Sequence, residues 1–315
     1  MATSMKLREP EVAPPSHFGD RVFSGAALAA GVAILVILAG VALFLLYEGI
    51  PGMTAEQEDY APKDNFLSYV GPLAFGTVLA SIIALITAVP VAIGIALFIS
   101  HYAPRGLAAV LGYLIDLLAA VPSVVIGLWG FETLGGSLLP LTGWLADNLG
   151  WIPLFAGPAS VTGRTMLTAG LVLGVMILPI VTAICREVFL HTPRLHEEAA
   201  LALGATRWEM IRMAVFPYAR SGIVSGAMLG LGRALGETLA VTIVLAPSIL
   251  YTFNIIGSTN SSTIASNIAL QFPEASGDRV NVLIATGLVL FVLTFAVNYA
   301  ARKVVERRRE FSGAN

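Results

Sequence analysis

The sequence predicts an all-α, polytopic membrane bundle of six transmembrane helices, and three observations carry that expectation. Hydrophobic residues make up 57% of the 315-residue chain and charged residues only 12%, where a soluble domain carries roughly 25% charged residues. The mean hydropathy is +0.82. Six stretches are apolar over about 20 residues, the length that crosses about 30 Å of hydrocarbon. The composition excludes a water-soluble globule and a disordered chain, and the six stretches set the element order.

The first stretch runs from about Ser24 to Tyr47. It is longer than a signal-peptide core, lacks a small-residue cleavage site and is followed by further spans, so it reads as a retained helix. The second runs from about Pro72 to Ile99, the third from Leu107 to Phe131 and the fourth from Met166 to Ile184. The fifth is Gly222 to Ala246 and the sixth Val282 to Ala301. Pro90, Pro122 and Pro179 fall inside spans, where each removes a backbone donor and can kink its helix. The 31 glycines suit close helix approach in lipid. The outer segment from Glu132 to Gly163 holds Trp144 and Trp151, which suit a membrane interface. The segment from Pro247 to Asp278, rich in Ser, Thr and Asn, reads equally as an outer loop or a re-entrant piece.

Loop charge orients the bundle. With the N-terminus inside, the inner segments hold Lys6, Arg8, Arg21, Arg105, Arg186, Arg194, Arg207, Arg212, Arg220, Arg302, Lys303, Arg307, Arg308 and Arg309. The outer side holds only Lys63, Arg164 and Arg279. Both termini are therefore expected in the cytoplasm. The chain divides into an N-terminal arm (1–23), a first helix with an acidic outer loop (24–65), a five-helix core (66–301) containing a cytoplasmic loop (186–220), and a basic tail (302–315).

Several function classes drop out. The net charge of −2 gives no reason to expect nucleic acid. A single cysteine, Cys185, excludes an internal disulfide framework and a multi-cysteine metal site. Lys6, Lys63 and Lys303 are the only lysines and none follows glycine, so the chain has no phosphate-binding loop of an ATPase. His17, His101, His191 and His196 lie outside the spans and read as solvated loop residues. His196–Glu197 lacks the second histidine of a zinc protease motif, because Ala200 stands there. No catalytic residue, metal ligand or cofactor of its own is expected in this chain.

The longest inner loop has its own architecture. Thr192–Pro193 reads as an N-cap followed by proline at the first helical position. Glu197 and Glu198 follow in the early turns, where the helix dipole favours acids. Leu195, Ala199, Ala202 and Leu203 recur at helical spacing and form one apolar face. Gly204 ends this helix as a C′ residue. Thr206-Arg207-Trp208-Glu209 matches a capping box, so a second helix begins there and is expected to stop near Pro217. A capped hairpin with small Ala199 and Ala200 is suited to docking under a partner's cleft; a hairpin resting on lipid headgroups is the alternative.

Ionisable side chains inside a span cost about 2.5–3.5 kcal/mol each on insertion scales, so they mark function or pairing. Asp116 lies about 13 Å into the third span at 1.5 Å per residue. Arg233 and Glu237 are four residues apart in the fifth, which places them on one helix face if the helix continues. Two readings stay open for the pair. It fixes helix packing, or Arg233 lines an anion path, since guanidinium grips phosphate-like oxyanions bidentately, with Glu237 positioning it. Asp116 has the same two readings, a hydrogen-bonded packing residue or part of that path.

The hairpin string Glu198-Ala199-Ala200, three residues, Gly204, nine residues, Ala214-Val215-Phe216-Pro217 resembles the EAA loop of ABC-importer permeases, E-A-A-x3-G-x9-I-x-L-P, with Ala214 and Phe216 as hydrophobic departures. The string Gly230-Leu231-Gly232-Arg233-Ala234-Leu235-Gly236-Glu237-Thr238 is similar to the signature of the phosphate-specific (Pst) ABC importers. So are Val89-Pro90 through Ala103-Pro104 and the run from Ala119 to Gly130. The wording from Arg233 to Val241 looks like the PstC-type subunit rather than the PstA-type.

The resemblance implies a type I ABC-importer permease fold in the bacterial cytoplasmic membrane. It implies a PstA-type second permease, PstB-type ATPase subunits that hold ATP and Mg2+, a PstS-type phosphate-binding protein and inorganic phosphate. It assigns Arg233 and Glu237 to the substrate path, beside which Thr238 of the same string and Asp116 of the third span are expected. It assigns Glu197, Glu198, Ala199, Ala200, Gly204 and Pro217 to coupling with the ATPase. A permease for sulfate or molybdate and an ion-coupled carrier using Asp116 and Glu237 remain as alternatives.

Overall fold

The structure, a computed structural model, describes residues 18–310. The first part of the N-terminal arm (1–17) and the end of the basic tail (311–315) lie outside the described residues. Among the described residues every regular element is helical.

α1 (Phe18–Met53) packs along α12 (Asp278–Glu310) and leaves most of its apolar side chains exposed. The basic segment after the sixth predicted span is no separate tail up to residue 310, because α12 runs through it. α2 (Phe66–Leu97) starts at a reciprocal cap, in which Asn65 accepts from the Ser68 N–H and Ser68 accepts from the Asn65 N–H. Pro72 and Pro90 stay inside α2. α6 (Met166–Leu190) starts at Thr165, whose hydroxyl accepts from the Thr168 N–H, and keeps Pro179 inside.

The α2–α6 seam is the most extensive contact in the molecule. It is close because α6 presents glycines to α2. A Cβ on Gly170 would stand 2.5 Å from Ile83 Cγ2, and one on Gly174 2.8 Å from Thr87 Oγ1. Ala80, Ala84 and Ala88 of α2 meet Leu173 and Ile177 of α6 in the central core. Small residues let helix backbones approach and gain dispersion contact.

Two predicted spans are not single helices. The third is expected over Leu107–Phe131, but α3 (Arg105–Ala119) stops after 15 residues, about 22 Å at 1.5 Å per residue. Proline disfavours the helical region for the residue before it, and the chain breaks at Val121–Pro122. It resumes as α4 (Ser123–Trp129), a π-helical turn (Gly130–Gly135) and α5 (Gly136–Leu149). The stretch expected as an outer segment from Glu132 is therefore helical as far as Leu149.

The fifth predicted span begins earlier and ends sooner. α7 (Arg194–Ala202) and α8 (Arg207–Met210) form the predicted hairpin. After α8, a π-helical turn (Ile211–Val215) leads directly into α9 (Phe216–Gly236). Pro217 does not stop the helix; it directly follows the π-helical turn, a widened turn of the kind found where a proline enters a continuous helical run. At the other end Glu237 is extended (φ −68°, ψ 128°) and a separate α10 (Leu239–Val244) follows.

Among the described residues, five helical stretches are long and apolar enough to cross a membrane: Arg21–Met53, Phe66–Tyr102, Ser123–Leu149, Met166–Leu190 and Asp278–Lys303. α9, with 21 residues, is about 31 Å long. Its glycines, serines, Arg220 and Arg233 leave it less apolar than those five.

The segment from Pro247 to Asp278 folds back onto α2. Residues 260–267 are buried, and α11 (Ile264–Gln271) forms within the segment. Several of its polar groups are met by the bundle, the Ile264 N–H donating to Thr77 Oγ1 at 3.0 Å and Asn267 Nδ2 to the Tyr69 hydroxyl at 2.8 Å, while Asn260 Oδ1 and Ser262 Oγ are buried without a partner. Thr242 Oγ1 donates to Ser266 Oγ at 3.0 Å. Pairing of this kind is what makes a buried Ser/Asn-rich segment tolerable.

Candidate functional site

Two regions carry the residues singled out from the sequence. The first is the hairpin. α7 starts one residue later than expected, with Pro193 rather than Thr192 at its N-cap. Thr192 is buried and its hydroxyl has no hydrogen-bond partner. The glycine turn is as predicted. Gly204 has φ +87°, the Ala205 N–H donates to the Ala200 carbonyl at 3.2 Å and the Gly204 N–H to that of Leu201 at 3.0 Å. That pair of bonds is a Schellman motif. The capping box also forms, with the Thr206 N–H on Glu209 Oε2 at 2.8 Å and the Glu209 N–H on Thr206 Oγ1 at 3.3 Å. These bonds hold the Glu209 carboxyl below the usual carboxylate range.

The hairpin has two faces. Ala200, Met210, Ile211 and Val215 are buried against Ala92, Ala96 and Leu97 of α2 and Val181, Cys185 and Phe189 of α6. Ala200 is thus small because the bundle closes over it, not to admit a partner's cleft. The outward face carries Glu198, Ala199 and two large apolar side chains, Leu195 (77% exposed) and Leu203 (87%). Trp208 and Met213 are also exposed. An apolar patch of this kind, rimmed by charge, is a mark of a protein or membrane contact.

Glu197 turns inward. Its Oε1 lies 3.5 Å from His101 Nε2, and the two side chains are only 22% and 9% exposed. His101 is therefore no solvated loop residue. His191 and His196 are exposed as expected, and His17 lies outside the described residues.

The second region is a cleft of about 810 Å3 between α6, α9 and α12. Arg233 opens into it with Ser221 and Ser225 of α9, Ile180 of α6, and Asn298 and Arg302 of α12. Among the described side chains, no carboxylate lines it. Among the described residues Arg233 forms no ion pair and no side-chain hydrogen bond.

Glu237 does not pair with Arg233. The i,i+4 expectation needs a continuous helix, and α9 ends at Gly236. Glu237 Oε1 instead accepts from the Ala240 N–H at 3.3 Å and caps α10. Thr238 turns its hydroxyl onto the Gly236 carbonyl at 3.2 Å. Asp116 is exposed on α3 and does not line the cleft.

One residue escaped the sequence reading. Arg164 Nη2 donates to the carbonyls of Ile243 and Leu245 at 3.3 and 3.2 Å, and its guanidinium lies 5.4 Å from the Phe131 ring centroid. It satisfies the carbonyl end of α10 as cations near helix C-termini do. The signal, one of two arginines expected on the outer side, has meaning only once α10 is known to end there.

Residues 88–310 match the family model of the binding-protein-dependent transport system inner membrane component. The phosphate transport system permease protein PstC 2 of Mycobacterium tuberculosis is 48% identical over 303 residues, 92% of this chain and 93% of the relative. The phosphate transport system permease protein PstC of Xylella fastidiosa is 38% identical over 292 residues, 89% of each chain. The inward-facing MetNI methionine ABC transporter matches with a TM-score of 0.51 at 16% identity, over 76% of this chain and 93% of that one. A bacterial alginate ABC transporter, solved with its alginate-bound periplasmic protein, matches with a TM-score of 0.51 at 18% identity, over 93% and 98%. At that identity the two structures speak to the fold alone, which is the type I ABC-importer permease fold.

The chain belongs to the binding-protein-dependent transport system inner membrane components, and is a membrane-embedded transporter component. Within that family it is a PstC-type permease.

Proposed function

We propose that this chain is the permease subunit through which an ABC importer moves inorganic phosphate across the bacterial cytoplasmic membrane. Its partners are a PstA-type permease, PstB-type ATPase subunits that bind ATP and Mg2+, and a PstS-type phosphate-binding protein. Both termini and the hairpin face the cytoplasm, as the distribution of Lys and Arg favours.

The observation that carries this reading is Arg233 standing open in a cleft that, among the described side chains, no carboxylate lines. A guanidinium in that setting offers its full charge and forked donors to a tetrahedral oxyanion. Arg302 and Asn298 lie along the same cleft on α12, so an anion leaving Arg233 has a second cation to pass.

The energy source lies outside the chain. ATP binding draws the ATPase subunits together, and the outward face of the hairpin (Leu195, Glu198, Ala199 and Leu203) follows them. α8 runs through a π-helical turn into α9, so hairpin displacement is delivered to the helix that carries Arg233. The bundle then alternates between inward- and outward-facing forms.

The test is uptake of labelled phosphate by cells with and without this chain, with sulfate as competitor. Uptake should require the chain and should resist excess sulfate. Equal competition by sulfate, or uptake that survives loss of the ATPase partner, would contradict the reading.

A further inference from the structure

We propose that His101 is a positioning residue that locks the hairpin to the end of α2, so that α2 and α9 move together when the hairpin is displaced. The proposal deepens the coupling reading above and rests on it.

α2 does not end in an ordinary turn. Its last turn widens into a π-helical one (Phe98–Tyr102), closed by the Ala103 N–H on the Phe98 carbonyl at 2.8 Å. This turn carries His101 against α7. One ring nitrogen, Nδ1, lies 2.7 Å from Ser100 Oγ, which itself lies 2.8 Å from the Ala96 carbonyl. The other, Nε2, lies 3.5 Å from Glu197 Oε1. The ring is thus held from behind by α2 and faces the carboxylate of α7.

Among the described residues, no other side-chain hydrogen bond or ion pair joins residues 194–215 to the rest of the bundle. Everything else at that junction is apolar: Ala200, Met210, Ile211 and Val215 against α2 and α6. Apolar contact is non-directional and lets surfaces slide. A polar contact such as that of His101 Nε2 with Glu197 Oε1 ties one named atom to another and is lost when the two part. α9 follows the hairpin through unbroken helix, whereas α2 reaches it only across this junction. The His101–Glu197 contact is the one that sets the register between them.

The experiment uses the assembled complex of permeases, ATPase and binding protein in proteoliposomes, with ATP hydrolysis and phosphate uptake measured together. Three variants are compared. In His101→Gln the side-chain nitrogen takes the place of Nε2 and keeps the Glu197 contact. In His101→Asn it takes the place of Nδ1 and loses that contact. In Glu197→Ala the acceptor is removed.

Phosphate carried per ATP should stay near wild type in His101→Gln. It should fall about tenfold in His101→Asn and Glu197→Ala, with the ATPase still bound and hydrolysing. Normal coupling in His101→Asn would overturn the proposal. So would equal loss in His101→Gln and His101→Asn, which would mark a role of ring volume alone. If wild-type uptake does not depend on ATP, the coupling reading itself fails, whatever these variants do.

Discussion

Glu237 reaches forward to the Ala240 N–H at 3.3 Å instead of back to Arg233. The carboxylate four residues from the arginine is spent on the start of α10, and Arg233 is left open to the cleft. The break between α9 and α10 is what separates them. Gly127 of α4 sits against that break, where a Cβ would stand 2.8 Å from the Ala240 Cα.

If Glu237 is a cap, its acceptor oxygen matters more than its charge. Glu237→Gln should keep most of the stability of the detergent-solubilised protein, and Glu237→Ala should lose about 1 kcal/mol, as for other lost caps. Thermal unfolding of the two variants separates them. Equal loss in both would favour a role for the charge.

Gly204→Val should break the hairpin. A φ of +87° is open to glycine and costs an L-residue roughly 1–2 kcal/mol, more when β-branched. Co-purification of the ATPase with the variant is the measurement. Loss of the ATPase is expected, and normal recovery of it would contradict docking through this turn.

Gly76→Ala tests the folded-back segment. A Cβ there would stand 2.8 Å from Ser261 Cβ and would press on the Ser262 carbonyl. Overpacking of that order costs about 1–3 kcal/mol. The variant should unfold at lower temperature and expose the 260–267 segment to proteolysis, while the hairpin still binds the ATPase.

The capping box should titrate. The Thr206 donors stabilise the ionised Glu209 carboxylate and lower its pKa on folding. A lowered pKa contributes stability above the unfolded value, about 4.3 for glutamate, and that contribution is lost as pH falls through the folded value. Fluorescence of Trp208, with Trp129, Trp144 and Trp151 replaced by Phe, should therefore report loosening of the hairpin only on the acid side of that value. In Glu209→Gln the acid transition should be absent.

The parts that were legible in sequence are those fixed within a few residues. Gly204, Thr206 and Glu209 form their turn and cap with one another, so their spacing was enough. The α2 and α6 spans were legible because apolar length alone decides them. The breaks at Pro122 and Glu237 were not, since an apolar window averages across them and the packing of α4 on α10 settles where helix ends. The same break made the Arg233–Glu237 spacing misleading. His101 looked like a loop residue because its partner, Glu197, is near only in the fold. Ala200 stands out in the sequence for its size, but which surface closes over it depends on the seat formed by α2 and α6.

Arg233 is the residue proposed to meet the travelling anion. Labelled phosphate uptake by the Arg233→Gln permease, in a complex shown to retain its ATPase, tests it most directly. Uptake should be lost with assembly unchanged, and Arg233→Lys should recover only part of it, because a single ammonium cannot make the bidentate contact. Wild-type uptake by Arg233→Gln would contradict the account and leave the arginine as a packing residue.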